Sequence, residues 1–483
     1  MSAKNEIKSV SDMGVLILAA GMGKRMRSSL PKVLHDLAGK PLLFHVLNQV
    51  RSVCPRASVG LVVGNGREQV EAYVRSEPFF SELEITFIHQ AEQKGTGHAA
   101  RCALDAQWGV ERLKKKQPVL VLPGDLPLIS DSLVRAVGAP LESNSVLRVL
   151  TCSLVDPSGY GRIVRSSDGI SVQRIVEEKD ASAEERRIAE VATSIYLFDS
   201  DFLSRSLQQL TPNNAQGEYY LTDLVAMASR GGFGVSALEW ADADLLRGVN
   251  DPWELAQARQ IFNEKCIKKW AIQGVQFLDP RSVRIECLVT LGAEVTIDGG
   301  VVLQGTTQIG DRSTIGPHAV LKNVKILADV TIKAGTVAED SAIHSFAQVG
   351  PNSHLRPGSE VGAHSKIGNF VELKKTKVGS STSIAHLSYL GDAVVGDRVN
   401  IGCGFVTCNF DGRIIEGQRK HKTVIEDDVF LGSACQAVAP ITIGKGAYIA
   451  SGSTITQNVE PGSLAIARAR QVNKPDYAKK LRD

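Results

Sequence analysis

The stretch Val15–Met26 reads VLILAAGMGKRM, and a further lysine, Lys32, follows shortly after it. The first half of this stretch is typical of a buried strand, and the second half is a glycine-rich turn that carries Lys24 and Arg25. Glycines at such a turn leave backbone N–H groups open to an oxyanion, because a Cβ would block both the bend and the ligand. A lone Gly-x-Gly is weak evidence, and a tight strand-to-helix turn is the simpler alternative. The longer pattern with its nearby cations predicts a site that binds a polyphosphate.

The composition is that of an ordinary globular chain. It has 483 residues, 43% of them hydrophobic and 22% charged, with a net charge of +3. This length suits two or three domains, and the small net charge does not favour a nucleic-acid partner. The eight cysteines include no Cys-x-x-Cys pair, which predicts a reducing compartment. No apolar run reaches the roughly 18 residues of a membrane helix, and the opening MSAKNEIKSVSDM lacks a signal-peptide core. We therefore expect a cytoplasmic protein without membrane insertion.

Residues 1–250 alternate between β-rich apolar runs and helical segments such as Leu42–Val53 and Gly97–Leu104. The apolar runs are Val15–Ala20, Val59–Gly64, Ile85–His89, Val119–Leu122, Val146–Leu154 and Val191–Phe198. Strands that are apolar on both faces and separated by helices indicate a mostly parallel α/β sheet. Ligands bind beyond the carboxyl ends of the strands in such sheets. The turn at Gly21–Arg25 and the later Pro123-Gly124-Asp125 both fall at such ends.

Residues 251–274 change to a helical period. Apolar residues recur at steps of three or four, at Leu255, Ala258, Phe262, Cys266 and Trp270. Asp251-Pro252 is a helix start signal and Gly274 a stop signal. The pattern predicts a helix that links two domains.

Over residues 275–483 the period becomes six. Inward apolar residues are expected, with two five-residue steps, at Leu291, Ile297, Leu303, Ile309, Ile315, Leu321, Ile343, Val349, Leu355, Val361, Ile367, Leu373, Val378, Ile384, Leu390, Val395, Ile401, Ile425, Leu431, Ala437, Ile443, Ile449 and Ile455. A glycine often follows, as in Ile309-Gly310. One inward aliphatic residue per six-residue face, with a small residue at the corner, is typical of a β-helix built from hexapeptides. Three hexapeptides form one coil, so we expect about ten coils.

Several long motifs resemble those of one bacterial enzyme family. They are LILAAGMGKRM, LPKVLH, QAEQKGTGHA, GDLPLI, DPSGYGRI, NNAQGEYYLTD, LRPG, GNFVELKK, HLSYLGD, VNIGCG and TCNFDG, and they span residues 13–472. The chain closely resembles the bifunctional N-acetylglucosamine-1-phosphate uridylyltransferases/glucosamine-1-phosphate N-acetyltransferases.

The resemblance implies three parts. These are a Rossmann-like nucleotidyltransferase domain over residues 1–250, a linker helix over 251–274 and a left-handed parallel β-helix acetyltransferase domain over 275–483. It implies acetyl transfer from acetyl-CoA to glucosamine-1-phosphate, then uridylyl transfer from UTP with release of pyrophosphate. The product, UDP-N-acetylglucosamine, is a precursor of peptidoglycan and lipopolysaccharide. Left-handed β-helices of such acyltransferases typically form homotrimers, and the resemblance implies small-molecule substrates with no nucleic acid.

The resemblance also implies a nucleotidyl site with Mg²⁺ as cofactor. The matched residues hold the uridine and phosphates, the uracil and the sugar, and in chain order they are Leu18, Ala19, Ala20, Gly21, Arg25, Lys32, Gln90, Gly95, Thr96, Gly124, Gly161, Glu177 and Asn250. Asp125 and Asn250 match the Mg²⁺ ligands, and two oxygen ligands leave most of an octahedral shell to phosphates and water. The chain departs from the family pattern at Pro123, in place of a tyrosine, and at Ala192-Thr193-Ser194, in place of Asn-Thr-Gly. The amide that Ala192 lacks puts sugar affinity in question, since one lost hydrogen bond costs about 1 kcal/mol.

For the acetyl site, the resemblance implies that His386 is the general base, since imidazole titrates near working pH. The residues matched to the sugar phosphate are Arg356, Lys374, Tyr389 and Asn400, and those matched to acetyl-CoA are Cys403, Asn409, Phe410, Ser433, Ser451 and Arg468. Phe410 replaces the family's tyrosine, and Arg413–Lys420 is an insertion. The insertion either reshapes the border of the cofactor site or is a tolerated surface loop, and we favour the surface loop.

Two other functions fit parts of the sequence. The β-helix of a nucleotidyltransferase can be a purely structural, oligomerising element, and the whole chain can be a binding module. A scaffold has no need of His386, Arg356 and Lys374 together, and a binding module leaves Lys32 and Asp125 unexplained. We therefore expect the bifunctional enzyme.

Overall fold

The structure is a computed structural model, and it describes residues 13–167, 169–412, 414, 417 and 419–482. The chain divides into two compact units, Met1–Phe262 and Asn263–Asp483. The division falls inside the predicted linker helix. In the described residues no helix has both the length and the apolar character to span a bilayer.

The first unit is built on a sheet that has nine strands among the described residues. They are β1 (Gly14–Ala19), β2 (Ser58–Val63), β3 (Glu84–His89), β4 (Val119–Pro123), β5 (Ser145–Ser153), β6 (Arg162–Arg165), β7 (Val172–Val176), β8 (Glu190–Phe198) and β9 (Gly234–Glu239). The order across the sheet is β9-β5-β8-β4-β1-β2-β3, and β6 and β7 form a hairpin attached to β8. Strands β4, β1, β2 and β3 are parallel, whereas β8 runs antiparallel to both of its neighbours. The expected mostly parallel sheet is confirmed.

Helices cover this sheet. They are α1 (Leu42–Val53), α2 (Arg67–Ser76), α3 (Thr96–Asp105), α4 (Gln107–Lys114), α5 (Asp131–Val137), α6 (Ser200–Leu207) and α7 (Asp223–Arg230), with short 3-10 turns at Lys24–Met26, Lys32–Leu34, Pro78–Phe80, Glu185–Arg187 and Ala243–Leu246. Helix α8 (Pro252–Ile272) follows them in the chain, and the second unit ends with a 3-10 turn at Lys479–Leu481. A two-stranded hairpin, Asp36–Leu37 with Lys40–Pro41, lies before α1. Strand β1 is buried along almost its whole length, because helices pack on the central strands from outside. Because β1 and β4 are parallel neighbours, their carboxyl ends lie at the same edge of the sheet.

Helix α8 is shared between the two units. Its first half carries Leu255 and Ala258, which are buried in a core cluster of the first unit. Its second half carries Ile267, which belongs to the core of the second unit, and Cys266 and Trp270 pack against that core. Gly274 ends the helical segment with a φ of 98°, as its sequence position predicts.

The second unit is a parallel β-helix with three faces. Among the described residues, one face has strands Gln276–Phe277, Thr296–Ile297, Thr314–Ile315, Thr331–Ile332, Gln348–Val349, Lys366–Asn369, Ser383–His386, Asn400–Ile401, Phe430–Leu431, Tyr448–Ile449 and Leu464–Ala465. The next has Arg284–Ile285, Val302–Gln304, Val320–Lys322, Val337–Glu339, His354–Leu355, Glu372–Lys374, Tyr389–Gly391, Val406–Cys408, Gln436–Val438 and Thr454–Ile455. The third has Thr290–Leu291, Gln308–Ile309, Lys325–Ile326, Ala342–Ile343, Glu360–Val361, Lys377–Val378, Ala393–Val395, Thr423–Ile425 and Ile441–Ile443. We call these faces 1, 2 and 3.

Every apolar position that the period of six predicted to point inward is buried in one continuous core. The core also contains Ile326, Ile332 and Ala338, which the sequence analysis missed. They were missed because Leu321 to Ile326 is a five-residue step, as is Ala338 to Ile343, so that these coils have 17 residues instead of 18. Stacked aliphatic residues of this kind contribute strongly to stability, and truncation of one such Ile or Leu to Ala typically costs about 2–5 kcal/mol.

The corner that leads into face 1 is a column of residues in the left-handed region. Their φ angles lie near 60°, and they are Glu294, Arg312, Asp329, Phe346, His364, Ser381, Arg398 and Asp428. Side chains of successive coils pair along this column. The Arg312 guanidinium binds both carboxylate oxygens of Asp329, at 2.8 and 2.7 Å, and the Phe346 and His364 rings stack with centroids 4.8 Å apart. These contacts offset part of the cost of placing side chains at positive φ.

Candidate functional site

The glycine turn after β1 is held closely against its neighbours. The Gln93 amide donates to the Ala20 carbonyl at 2.8 Å, and Gly23 has a φ of 58° with Lys32 packed against it. A Cβ added at Gly21 would meet no protein atom within 4 Å. Packing within the protein therefore does not require glycine at position 21, and the space beside it opens into a cavity.

Two cavities meet at this edge of the sheet. The one that we call the nucleotide cavity has a volume of about 380 Å³ and is lined by Leu18, Ala19, Ala20, Gly21, Met22, Lys32, Val33, Gln90, Gln93, Gly95, Thr96, Ala99, Pro123, Asp125, Ser194 and Glu218. The one that we call the sugar cavity has a volume of about 290 Å³ and is lined by Arg25, Pro123, Asp125, Leu126, Ser158, Gly159, Tyr160, Gly161, Glu177, Ala192, Thr193, Ser194, Thr222, Leu246, Gly248, Asn250 and Glu254. Pro123, Asp125 and Ser194 line both. The structure thus brings together the predicted nucleotide and sugar residues except Gly124, which lines neither cavity and donates its N–H to the Leu18 carbonyl at 2.9 Å.

Three of the predicted residues contact one another where the cavities meet. The Lys32 ammonium forms an ion pair with Asp125 and donates to the Asn250 side-chain oxygen at 3.1 Å. The Val249 N–H donates to the Asp125 carbonyl at 3.0 Å, which ties the loop before Asn250 to the end of β4. Since both side-chain oxygens face the same cation, they also suit a hard divalent metal ion. No group of three His, Cys, Asp or Glu side chains suited to a metal exists in the described part of the chain, so phosphates and water would have to complete the shell.

The predicted uracil contacts lie at the start of α3. The Gln90 amide nitrogen donates to the Gly95 carbonyl at 3.1 Å and contacts the His98 ring at 3.0 Å, which orients the side chain. Gly95 has a φ of 97°, and a Cβ there would lie 2.6 Å from the Tyr219 carbonyl. Thr96 accepts from the Leu221 N–H at 3.1 Å. Glycine is therefore required at position 95 by the backbone itself.

Glu177 is one of the carboxyl groups that line the sugar cavity. Burial raises the pKa of its carboxyl, and the Thr222 hydroxyl donates to it at 3.0 Å. The Ala192 N–H donates to the Gly161 carbonyl at 2.8 Å, so β8 and β6 hold the two positions together. Ala192 lines the cavity and offers no polar side-chain atom there.

Four of the predicted acetyl-transfer residues form a column along the corner that leaves face 1. Because Ile384 pairs with Ile401 and Ile401 with Leu431, the residues two positions later lie one above another. From the first coil upward this column contains Asn369, His386, Cys403, Ser433 and Ser451. A Cβ on the next residue, Gly452, would lie 3.8 Å from Arg468 Cδ. The predicted base and three predicted acetyl-CoA contacts thus share one line along the coil axis, whereas Asn409 and Phe410 follow a strand of face 2.

His386 is exposed at this corner, and its ring is oriented by the residue below it. Its Nδ1 lies 2.8 Å from the Asn369 side-chain oxygen. An amide oxygen only accepts, so Nδ1 carries a proton, and in the neutral ring the lone pair is then on Nε2. This tautomer is the one that a general base requires.

Of the predicted sugar-phosphate residues, Arg356, Lys374 and Tyr389 lie in or directly after strands of face 2, whereas Asn400 lies in a strand of face 1. Leu355 pairs with Leu373, so Arg356 and Lys374 occupy the same position in successive coils. Arg356 Nη1 is 2.9 Å from the Glu372 carboxylate. A Cβ added at Gly391 would collide with the Tyr389 hydroxyl and lie 2.5 Å from the Asn409 amide nitrogen, so these two predicted residues meet over a glycine.

The insertion lies in a loop that is closed at its base. The His421 N–H donates to the Asn409 carbonyl at 3.0 Å, and the Lys420 ammonium lies 4.1 Å from the centroid of the Phe410 ring. Of the predicted insertion Arg413–Lys420, residues 413, 415, 416 and 418 lie outside the described residues.

Sequence reasoning missed several residues of these sites. Asn369 lies in the quoted motif GNFVELKK, and its polar side chain at a coil corner was the available signal. Glu254 accepts from the Asn250 N–H at 2.5 Å, and it lies three residues after Asp251, which caps the start of α8 by accepting from the Glu254 N–H. Lys420 carried no signal beyond its charge, because its place beside Phe410 depends on how the loop closes.

Known proteins resemble both parts of the chain. Residues 15–160 match the MobA-like NTP transferase domain, and residues 289–323 and 422–457 match the bacterial transferase hexapeptide repeats. A bifunctional protein GlmU from Geotalea uraniireducens is 44% identical over 97% of this chain and 99% of its own length. The chain belongs to the bifunctional GlmU family. Family members from Trichlorobacter lovleyi, 44% identical over 97% of this chain and 98% of theirs, and from Alcanivorax borkumensis, 45% identical over 96% and 98%, are similarly close. Among solved structures, a UDP-glucose pyrophosphorylase complexed with UDP-glucose aligns with 52% of this chain and 99% of its own at a TM-score of 0.42 and 16% identity.

Membership of the GlmU family confirms the predicted fold and the predicted bifunctional activity. The chain is an N-acetylglucosamine-1-phosphate uridylyltransferase and a glucosamine-1-phosphate N-acetyltransferase of UDP-N-acetylglucosamine synthesis. The GlmU family and the nucleotidyltransferase domain imply nucleotide-sugar substrates and metal dependence. The roles of the individual site residues are still predictions.

Proposed function

We propose that UTP occupies the nucleotide cavity, that the sugar phosphate occupies the sugar cavity and that uridylyl transfer takes place between them at Asp125. The observation that carries this proposal is the contact of Lys32 with both Asp125 and Asn250 where the two cavities meet. A phosphoryl acceptor and a nucleoside triphosphate must approach each other there as anions. Their repulsion is the main barrier that the protein has to lower.

The chain's own residues would lower it in three ways. The open space beside Gly21 admits phosphate oxygens close to the backbone. Lys32 supplies positive charge at the junction, and Arg25 lines the sugar cavity on the other side of Asp125. Mg²⁺ bound by Asp125 and Asn250 would neutralise charge on the triphosphate. Glu177 would orient the sugar by accepting from a hydroxyl group.

For acetyl transfer, we propose that His386 Nε2 removes the proton of the glucosamine amine as it attacks the thioester of acetyl-CoA. The Asn369 contact supports this role, because it fixes the ring in the required tautomer. Arg356 and Lys374 would hold the phosphate of the sugar, with the guanidinium fork and the ammonium in successive coils. The Cys403 N–H, one coil above His386, is the candidate donor to the thioester oxyanion.

We also propose that the acetyl site is completed by neighbouring copies in a homotrimer. The hexapeptide repeats fit an oligomeric protein. Two large apolar side chains beside the predicted base, Phe370 and Leu387, are 57% and 58% exposed at corner positions with positive φ. Apolar side chains held in strained exposed corners next to a site suit an interface between copies. A cytoplasmic location is proposed because UTP and acetyl-CoA are metabolites of that compartment.

Asp125→Asn tests the nucleotidyl assignment. We expect it to suppress release of pyrophosphate from UTP while release of free thiol from acetyl-CoA continues, because the acetyl residues lie in the other unit. Asp201→Asn, an exposed carboxylate on α6, is the matched control and should leave both activities unchanged. Loss of both activities in a folded Asp125→Asn protein, or loss of neither, would refute the assignment.

A further inference from the structure

Strand β8 contains a bulge where it borders the two cavities. Its pairing with β5 shifts register between Ala192 and Tyr196. Within this bulge Ser194 has a φ of 61°, in the left-handed region that L side chains rarely adopt. Its side chain is exposed, whereas Thr193 and Ile195 on either side are buried. The bulge therefore turns one hydroxyl out of the sheet.

Ser194 lies at the place where the chemistry is proposed. Ser194 lines the nucleotide cavity and the sugar cavity alike, as do Pro123 and Asp125. Pro123 has no N–H and no polar side-chain atom, and Ala192, in the sugar cavity, presents only a methyl group. On this wall Ser194 thus supplies a side-chain donor close to the junction of the cavities.

No contact among the described residues accounts for a serine side chain at position 194. Among the described residues the Ser194 hydroxyl has no hydrogen-bond partner, and a glycine would adopt the same φ without strain. A strained residue at a site, with an unused donor directed into a cavity, is a common sign of contact with a ligand.

We propose that the Ser194 hydroxyl donates a hydrogen bond to an uncharged oxygen of the sugar in the bound sugar 1-phosphate, in place of the amide that Ala192 lacks. This proposal rests on the proposed placement of the sugar phosphate at Asp125. It makes Ser194 a residue that determines affinity for the sugar phosphate and not for UTP.

The experiment compares Ser194→Ala and Ser194→Gly, with N-acetylglucosamine-1-phosphate and UTP varied separately. Both variants should raise KM for the sugar phosphate about fivefold, the loss typical of one uncharged hydrogen bond, and leave KM for UTP unchanged. Ser194→Gly should also raise the Tm, because it removes the strain, whereas Ser194→Ala should not. Titration calorimetry with N-acetylglucosamine-1-phosphate should give the same fivefold loss without turnover. Adding Ala192→Asn to Ser194→Ala should restore the affinity.

Ser381→Gly is the matched control, since Ser381 has a φ of 56° and lies in the other unit. It should leave both KM values unchanged. Unaltered sugar-phosphate affinity in both Ser194 variants would overturn the proposal, as would a rise in KM for UTP alone. Failure of the nucleotidyl site itself is distinguished by Asp125→Asn, which would then retain release of pyrophosphate.

Discussion

The orientation of His386 leads to a quantitative prediction that separates the base from the residue that orients it. His386→Ala removes the base, and general-base catalysis of this kind contributes about 10²–10⁴-fold. Asn369→Ala removes only the 2.8 Å contact to Nδ1. That contact is an uncharged hydrogen bond worth about 0.5–1.5 kcal/mol, so its loss should slow acetyl transfer about two- to tenfold. The two variants should therefore differ by at least an order of magnitude.

The assay follows free thiol from acetyl-CoA and pyrophosphate from UTP in the same preparation. Both variants should release pyrophosphate normally when N-acetylglucosamine-1-phosphate is supplied. His364→Ala is the control, because His364 also lies at a coil corner but stacks on Phe346 and not on a predicted substrate residue. Near-normal acetyl transfer by His386→Ala across pH 6 to 9 would refute the reasoning. So would an Asn369→Ala defect as large as that of His386→Ala.

Three further predictions concern assembly, acid stability and packing. Mixing His386→Ala chains with Arg468→Ala chains should restore some acetyl transfer if the two residues of one site belong to different copies; light scattering that shows a fully active monomer would contradict the trimer. Burial lowers the pKa of His45 to about 4, so the folded protein binds fewer protons than the unfolded chain between pH 6.5 and 4. As the pH is lowered across that range, the free energy of unfolding should therefore fall by up to about 3 kcal/mol. Urea denaturation should show this loss for the parent protein, and His45→Gln should remove it. Gly391→Ala should raise KM for glucosamine-1-phosphate, because its Cβ would displace the Tyr389 hydroxyl, and uridylyl transfer in the same sample should be unaffected.

Local patterns predicted the elements of the fold well. The run Val191–Phe198 lies within β8, and the helical segment Leu42–Val53 has the observed bounds of α1. Burial on both faces leaves a strong sequence signal, and so does a period of six. The hairpin β6-β7 was missed because its partly exposed strands alternate too weakly to stand out.

Contacts between distant parts of the chain were beyond sequence reasoning. Lys32 meets Asp125 and Asn250, which lie 93 and 218 positions away, and only the folded sheet brings them together. The resemblance to a family predicted that all three belong to one site, but not that one ammonium contacts both oxygens. The positive φ of Ser194 was equally hidden, since a serine in an apolar strand carries no signal of a bulge.

The pairing of corner residues has a consequence for the loop beside Phe410. Arg398 binds the Asp428 carboxylate 30 residues further on, whereas Arg312 binds Asp329 at an interval of 17. The hydrogen bond between Asn409 and His421 closes the base of the loop, and these two residues are twelve positions apart. Without those twelve positions the coil would have the 18 residues of an ordinary coil. The free-energy cost of closing a loop at fixed anchors rises by only about 0.6 kcal/mol for each doubling of its length. The length and composition of this segment can therefore vary while the coils on either side of it keep their register. Such variation would change the border of the predicted acetyl-CoA site.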